Sequence, residues 1–318
     1  MIQLGNGILL EANESKFRFD PRRVTVDDTS LISHAHTDHL PTSFMKLEAI
    51  CSPESRDFIA ARRRKEISIV SDPRVSMLEA GHIAGSRMFL VDAGQKVLYT
   101  GDYCTREKKH TKAARPHKCD VLITEATYGL PRYVFPEHRE TMSLARDWLE
   151  DLIREGTSAI LLAYPLGKSQ ELSAALRDLP LVMHPTIAAN NRILKKHGYD
   201  LPDAVYDSER KPPFVYITSG LGKDSLRVEH MKKRGAKTAA FSGWALDRGF
   251  ASLSRLDEAF PISDHCGYNE LMEFVRRCSP TSVFTTHGFA KEFAIQIRRN
   301  LGISAVPLIA RQRTLDHF

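Results

Sequence analysis

The chain has 318 residues, 42% of them hydrophobic, which is enough for a packed core and too apolar for a disordered protein. A formal charge of +6 favours a polyanionic partner, because clustered Lys and Arg gain from releasing counterions condensed on phosphates. From Met1 to Phe19 the apolar cluster Ile8 to Leu10 is followed by Glu11, Glu14 and Lys16, so no signal peptide, membrane span or membrane partner is expected, and a cytoplasmic protein is.

In chain order, short β-rich runs come first, at Val24 to Val26, Ser30 to Ile32, Ile67 to Val70, Met88 to Asp92, Val97 to Thr100 and Val121 to Thr124. One helix interrupts them, with Ser52 as N-cap and Pro53 at its first position, running to about Lys65. From Thr141 helix-period segments (Met142 to Arg154, Ser169 to Leu176, Thr186 to His197, Leu226 to Arg234) alternate with strands (Ala159 to Ala163, Leu181 to Met183, Phe214 to Thr218, Thr238 to Phe241). That alternation predicts a parallel sheet covered by helices. Strands at Phe260 to Asp264 and Ser282 to Thr286, with helices at Leu271 to Arg277 and Lys291 to Asn300, end the pattern. The division expected is an α/β insertion at 139–248 inside one domain built from 1–138 and 249–318.

Cys51, Cys104, Cys119, Cys266 and Cys278 are odd in number and hold no C-x-x-C pair, which argues against a disulfide framework or zinc finger and leaves metal ligation to His and Asp. Ser33-His34-Ala35-His36-Thr37-Asp38-His39 sets three imidazoles and a carboxylate directly after the apolar Leu31-Ile32. Alternation points His34 and His36 to the same side, while Asp38 and His39 fall in the following turn, placed to hold a second ion. Gly81-His82 and the strand-ending Thr100-Gly101-Asp102 add an imidazole between tight turns and a carboxylate that two ions can share. The basic runs Arg62-Arg63-Arg64-Lys65, Arg106 to Lys118 and Lys232-Lys233-Arg234 are each a solvated face or a polyanion surface.

These motifs resemble the metallo-β-lactamase-fold hydrolases, whose H-x-H-x-D-H signature matches His34, His36, Asp38 and His39, with His82 and Asp102 in the next two motifs. Asp20, before Pro21, resembles the early Asp that braces the ligand loop, and is equally readable as a turn residue. Ile123-Thr124-Glu125-Ala126-Thr127-Tyr128-Gly129, Ser263-Asp264-His265 and Thr286-His287-Gly288 resemble motifs A, B and C of the β-CASP nucleases, and Ala163 to Leu172 resembles their insertion. The resemblance implies an α/β protein, a metallo-β-lactamase αββα sandwich with an inserted β-CASP domain. It implies two zinc ions, with manganese as the alternative: one on His34, His36, His82 and Asp102, the other on Asp38, His39, Asp102 and His287. Catalytic roles fall on Asp38, Glu125 and His265, the last as acid or charge stabiliser, in phosphodiester hydrolysis by a metal-bridged hydroxide.

Leu166-Gly167-Lys168-Ser169 looks like the tail of a P-loop, but Leu162 stands where its first glycine belongs, which disfavours an NTPase. Lys168 and Ser169, opening a helix, and Thr218 and Ser219, ending a strand, remain candidate phosphate seats. The wording from Asp120 to Tyr133 is most similar to the ligase-associated DNA exonucleases, implying DNA as substrate and a DNA ligase or other repair proteins as partners. His287 at motif C is more typical of RNA-processing members and keeps an RNA nuclease of the cleavage-factor type open. A thioester or lactam hydrolase on the same fold is disfavoured by Glu125 and His265, and a metal-free scaffold by the complete ligand set.

Overall fold

The computed structural model describes residues 1–308 apart from 13, 14 and 223. The chain forms two compact units: Met1–Arg106, Lys112–Arg132 and the segment from Cys266 on make the first, Glu107–Thr111 and Tyr133–His265 the second.

In the first unit, β1 (Ile2–Gly5), β2 (Gly7–Ala12), β3 (Ser15–Phe19) and β4 (Thr29–Leu31) form a four-stranded sheet in that order. β5 (Leu47–Ala49) and β6 (Ile67–Ile69) pair beside α1 (Pro53–Arg63), which Ser52 caps as expected by accepting the Ser55 N–H at 3.1 Å. β7 (Val75–Glu79), β8 (Arg87–Asp92), β9 (Lys96–Tyr99) and β10 (Val121–Glu125) belong to a second sheet.

The second unit contains α2 (His138–Arg154), β11 (Ala159–Leu162), α3 (Lys168–Ala175), β12 (Leu181–Met183), α4 (Pro185–Lys196), β13 (Val215–Thr218), α5 (Asp224–Lys233), β14 (Lys237–Phe241), α6 (Phe250–Leu253) and β15 (Glu258–Phe260). Its sheet, in the order β12-β13-β11-β14-β15, is parallel throughout, as the alternation of helix and strand predicts. Period-2 burial divides its faces: Leu161 packs with Ala145 and Leu149 of α2, while Ile160 packs with Val228 and Met231 of α5.

The chain then returns to the first unit with α7 (Tyr268–Cys278), β16 (Ser282–Thr286), α8 (Ala290–Leu301) and β17 (Ser304–Pro307), completing the six-stranded order β17-β16-β10-β9-β8-β7. Val97, Tyr99, Val121 and Ile123 meet Phe17, Phe19 and Leu31 of the four-stranded sheet, whereas Leu98 and Leu122 meet Phe274 of α7 and Phe293 of α8. Two sheets face to face with helices outside are the αββα layering. Because β9, β10 and β16 run parallel, they deliver Asp102, Glu125 and His287 to one edge of their sheet.

Two expected elements differ. Val24 to Val26 is not a strand: Thr25 Oγ1 donates to Asp28 at 2.6 Å in a local turn and Val26 is 100% exposed, so polar side chains outcompete ladder pairing. The strand placed at Phe260 to Asp264 ends at Phe260, because Ser263 Oγ accepts the His265 N–H at 3.0 Å and turns the chain. With β15 paired to β14, the second unit runs to His265, whereas the expected insertion ends at 248. All five cysteines are free.

Charge is buried inside the second unit. Lys168 Nζ lies 2.5 Å from Glu171 and 3.1 Å from Asp264, Lys108 Nζ 2.9 Å from Asp264, and His138 Nε2 2.9 Å from Glu171. Burial opposes the charge of Glu171, but Lys168, His138 and Lys108 overcome it and hold the carboxyl at about 2. His110, buried without a hydrogen-bond partner on either nitrogen, is pushed down to about 4 by burial and by Lys108. Its stabilising neutral form is held while the unfolded histidine titrates at 6.5, so stability falls as pH drops from 6.5 towards about 4, by on the order of 3 kcal/mol. Both tryptophans, Trp148 and Trp244, lie in this unit, so urea midpoints followed by their fluorescence should fall over that range, and His110→Leu should flatten the fall.

Candidate metal centre

The loop after β4 is organised by one carboxylate. Asp20 Oδ1 accepts the Ser33 N–H at 2.7 Å, and Oδ2 accepts the Ser33 hydroxyl at 2.6 Å and the Tyr99 hydroxyl at 2.7 Å, with His39 Nδ1 also 2.7 Å away. Asp20 is therefore a brace, not merely a turn residue before proline. With its Nδ1 held, His39 presents Nε2 inward, where that buried atom has no hydrogen-bond partner.

Gly101, at φ +52°, brings the end of β9 against this loop so closely that a Cβ would stand 2.6 Å from Ser33 Cβ. The next residue, Asp102, is thereby delivered to the histidines: its Oδ2 lies 3.7 Å from His34 Nε2, 3.4 Å from His39 Nε2 and 3.7 Å from His82 Nε2. Two donor groups share it. His34, His36, His82 and Asp102 each offer an atom within 4.8 Å of the others, and so do His39, Asp102 and His287. The His39 and His287 rings stack at 5.1 Å, and His287 is held at φ +58°, a left-handed conformation uncommon for histidine and often found at functional sites. Asp38 stands outside the tight trio, with a carboxylate oxygen 3.8 Å from His39 Nε2 and its side chain 68% exposed.

The electrostatics of the two groups differ. Burial pushes the His34 pKa well below its usual value, and neighbouring His39, His36 and His82 add to this, so His34 is neutral and ready to donate a lone pair. Burial acts the same way on His39, yet Asp102 and then Asp20 overcome it and raise its pKa well above the ordinary range. The carboxylates around His39 thus demand a cation. A set of buried imidazoles and one carboxylate, with an orphaned nitrogen among them, fits zinc.

Glu125, at the end of β10, is buried; its Oε1 accepts the Tyr103 N–H at 2.9 Å, and Oε2 accepts from the Thr127 N–H at 3.3 Å and from the Thr127 hydroxyl. His265 belongs to the second unit, on the turn made by Ser263.

Three of the four residues expected to seat phosphate, Lys168, Ser169 and Thr218, are bonded within the protein. Lys168 is 3% exposed and bonded to Glu171 and Asp264, and the Ser169 hydroxyl donates to the Tyr164 carbonyl at 2.6 Å. The N–H groups of Gly167, Ser169 and Gln170 are likewise taken, by Gln170 Oε1, Tyr164 O and Gly167 O. Thr218 donates its hydroxyl to the buried carboxylate of Asp224 and accepts the Gly220 N–H at 3.1 Å, so its hydroxyl is taken up within the protein. Ion pairing to residues far along the chain overrides the local pattern.

Sequence reasoning misses Ser33 and Tyr99, which donate to Asp20, and Arg62, whose guanidinium donates to the Ala35 carbonyl between His34 and His36 at 2.6 Å. Tyr99 has a signal of a kind, a polar ring in a strand directly before the Thr-Gly-Asp turn, while Arg62 has none, since it stands in a basic run that reads as surface.

Comparison with known proteins supplies the rest. Residues 258–306 match the family described as a Zn-dependent metallo-hydrolase RNA specificity domain, a stretch that includes His265 and His287. A probable DNA ligase of Opitutus terrae is 34% identical over 293 residues, covering 87% of this chain and 28% of the relative. Cleavage and polyadenylation specificity factor 73 of Drosophila melanogaster is 25% identical over 315 residues, 80% of this chain and 44% of its own length. The chain has the metallo-β-lactamase/β-CASP fold. Endoribonuclease ysh-1 of Neurospora crassa, 32% identical over 153 residues, aligns with 47% of this β-CASP chain and 16% of the relative. The chain thus spans between about a quarter and a half of the first two relatives it matches. For a β-CASP protein the zinc dependence in the matched family's description agrees with the donor set found here.

Proposed function

We propose that the chain is a metal-dependent phosphodiesterase that cuts nucleic acid, and specifically a DNA exonuclease of DNA repair using two zinc ions. The observation that carries the two-ion reading is the Asp102 carboxylate, common to two donor groups. His34, His36 and His82 would hold one ion, and His39, His287 and Asp38 the other, with Asp102 between them. Bound there, the cations would supply activated water and neutralise charge growing on the phosphate oxygens.

The chain's own residues do the rest. Asp20 orients His39, and Glu125, fixed by Tyr103 and Thr127, keeps negative charge buried at the sheet edge. His265 is assigned proton donation to the departing oxygen on the strength of its motif. DNA is favoured by the relative aligned over 87% of the chain, whose name is that of a DNA ligase, and a ligase or other repair protein is the proposed partner, in the cytoplasm. The RNA reading is supported by the description of the domain matched at 258–306 and by His287.

End-labelled single-stranded DNA and an RNA of matched sequence, incubated separately with zinc-reconstituted protein, test the choice. Progressive shortening of the DNA from one end is expected; preferential internal cutting of the RNA would replace the DNA reading with its rival. Undiminished activity of His36→Ala and Asp38→Ala would remove the metal mechanism altogether.

A further inference from the structure

Helix α1 touches both loops that carry the histidines of the first donor group, one at each end. At its C-terminal end Arg62 Nη1 donates to the Ala35 carbonyl, between His34 and His36, at 2.6 Å, and it lies 3.4 Å from Thr37 Oγ1. At its N-terminal end Ser52 Oγ and Ser55 Oγ both donate to the Gly85 carbonyl, at 2.6 and 3.2 Å. Gly85 belongs to the loop of His82, which is closed by the Ile83 N–H on Ser86 Oγ at 3.2 Å.

The approach of that loop to the helix leaves no slack. Gly85 has φ +82°, and a Cβ there would stand 2.5 Å from Glu54 Cβ and 2.9 Å from Ser52 Oγ. From Ser55 to Arg62 the helix rises about 10 Å, a fixed length because every intervening residue is locked by backbone hydrogen bonds. His82 and the His34/His36 pair come from segments more than forty residues apart; their loops meet where the Arg87 N–H donates to the Ser33 carbonyl at 2.8 Å, and α1 is a second tie between them, reaching past that bond to Ala35 on one side and Gly85 on the other. A rigid rod clamped to both, together with that bond, holds their separation.

The second donor group is supported otherwise. His39 is held by Asp20, and His287 sits on its own strained turn after β16. Arg62 therefore bears mainly on the first ion position, its shorter bond lying between His34 and His36 and its longer contact reaching only the Thr37 side chain.

We infer that α1 is a spacer that tunes the first metal position, with Arg62 and Ser55 as positioning residues for the ion taken by His34, His36 and His82. The inference rests on reading those donors as a metal site. It takes Arg62 out of the basic surface that its run suggests: although the residue keeps much of its surface in solvent, its guanidinium fixes a backbone carbonyl between two ligands. A bidentate-capable, always charged group suits this better than Lys, which offers one rotating point charge.

The test reads metal, not turnover. Zinc affinities of the wild type, Arg62→Met, Arg62→Lys and Ser55→Ala are measured by competition with a chromophoric chelator, alongside the visible spectrum of the cobalt-substituted proteins. One of two zinc equivalents is expected to weaken about tenfold or more in Arg62→Met and in Ser55→Ala, with an altered cobalt band, while the other equivalent keeps its affinity. Arg62→Lys should recover part of the loss. Unchanged affinities, or equal weakening of both equivalents, would overturn the inference. Should Arg62→Met fail to fold, judged by its melting curve, Ser55→Ala decides, since Ser52 and not Ser55 supplies the helix cap. A wild type that binds a single zinc would instead overturn the two-ion reading, and the spacer inference would then stand or fall on whether that one affinity drops in the variants.

Discussion

Asp102→Ala is expected to remove both metal equivalents at once and to lower nuclease activity by about a thousandfold or more, the largest effect of any single substitution in the centre. The reason is geometric. One oxygen, Oδ2, stands 3.4 to 3.7 Å from the Nε2 atoms of three histidines, and both donor groups include it. Removing a histidine subtracts one neutral donor from one group; removing Asp102 subtracts from both groups a negative charge that offsets a dication. His36→Ala should accordingly lose about one equivalent, and Asp102→Ala close to two. Metal content after dialysis, measured beside nucleic-acid cleavage, separates the two variants. Retention of two equivalents by Asp102→Ala would show that the two groups do not share their carboxylate.

The parts of this centre that were legible in the sequence are those whose chemistry is local. His34, His36, Asp38 and His39 lie within one turn, and the parallel strands that bring Asp102 and His287 to the same edge end in recognisable Thr-Gly-Asp and Thr-His-Gly turns. The helix after Ser52 and the parallel sheet of the second unit follow equally from capping and periodicity. What stayed hidden depends on distant partners. Lys168 reads as a phosphate ligand because nothing near it shows that Asp264, 96 residues away, will claim its charge. Arg62 reads as surface because a carbonyl 27 residues back leaves no trace in composition. Of the hairpin strands, β3 does alternate, with Phe17 and Phe19 buried in turn with the less buried Lys16 and Arg18, whereas in β2 the apolar Leu9 between buried Ile8 and Leu10 hides the period.

Asp20 bears more hydrogen bonds than its single turn position suggests, and Asp20→Ala should cost about 3 to 5 kcal/mol of stability in urea unfolding of the metal-free protein. Truncation would strand the Ser33 N–H and the Ser33 and Tyr99 hydroxyls in the interior and leave His39 Nδ1 without its carboxylate. Asp20→Asn keeps the shape and should cost less, but it isolates the electrostatic part. In the wild type the raised pKa of His39 means that the protonated imidazole stabilises the metal-free fold below 6.5, a contribution lost as pH rises through the raised value. Zinc needs the neutral imidazole and competes with that proton, so the rise in melting temperature that zinc confers should grow as the solution is made more alkaline. With the Asp20 charge gone, the proton is held less tightly, and the dependence of zinc stabilisation on pH should become shallower. Melting curves of wild type and Asp20→Asn, with and without zinc at pH 6, 7 and 8, would show it; parallel pH profiles would mean that Asp20 holds the His39 ring in place without governing its charge.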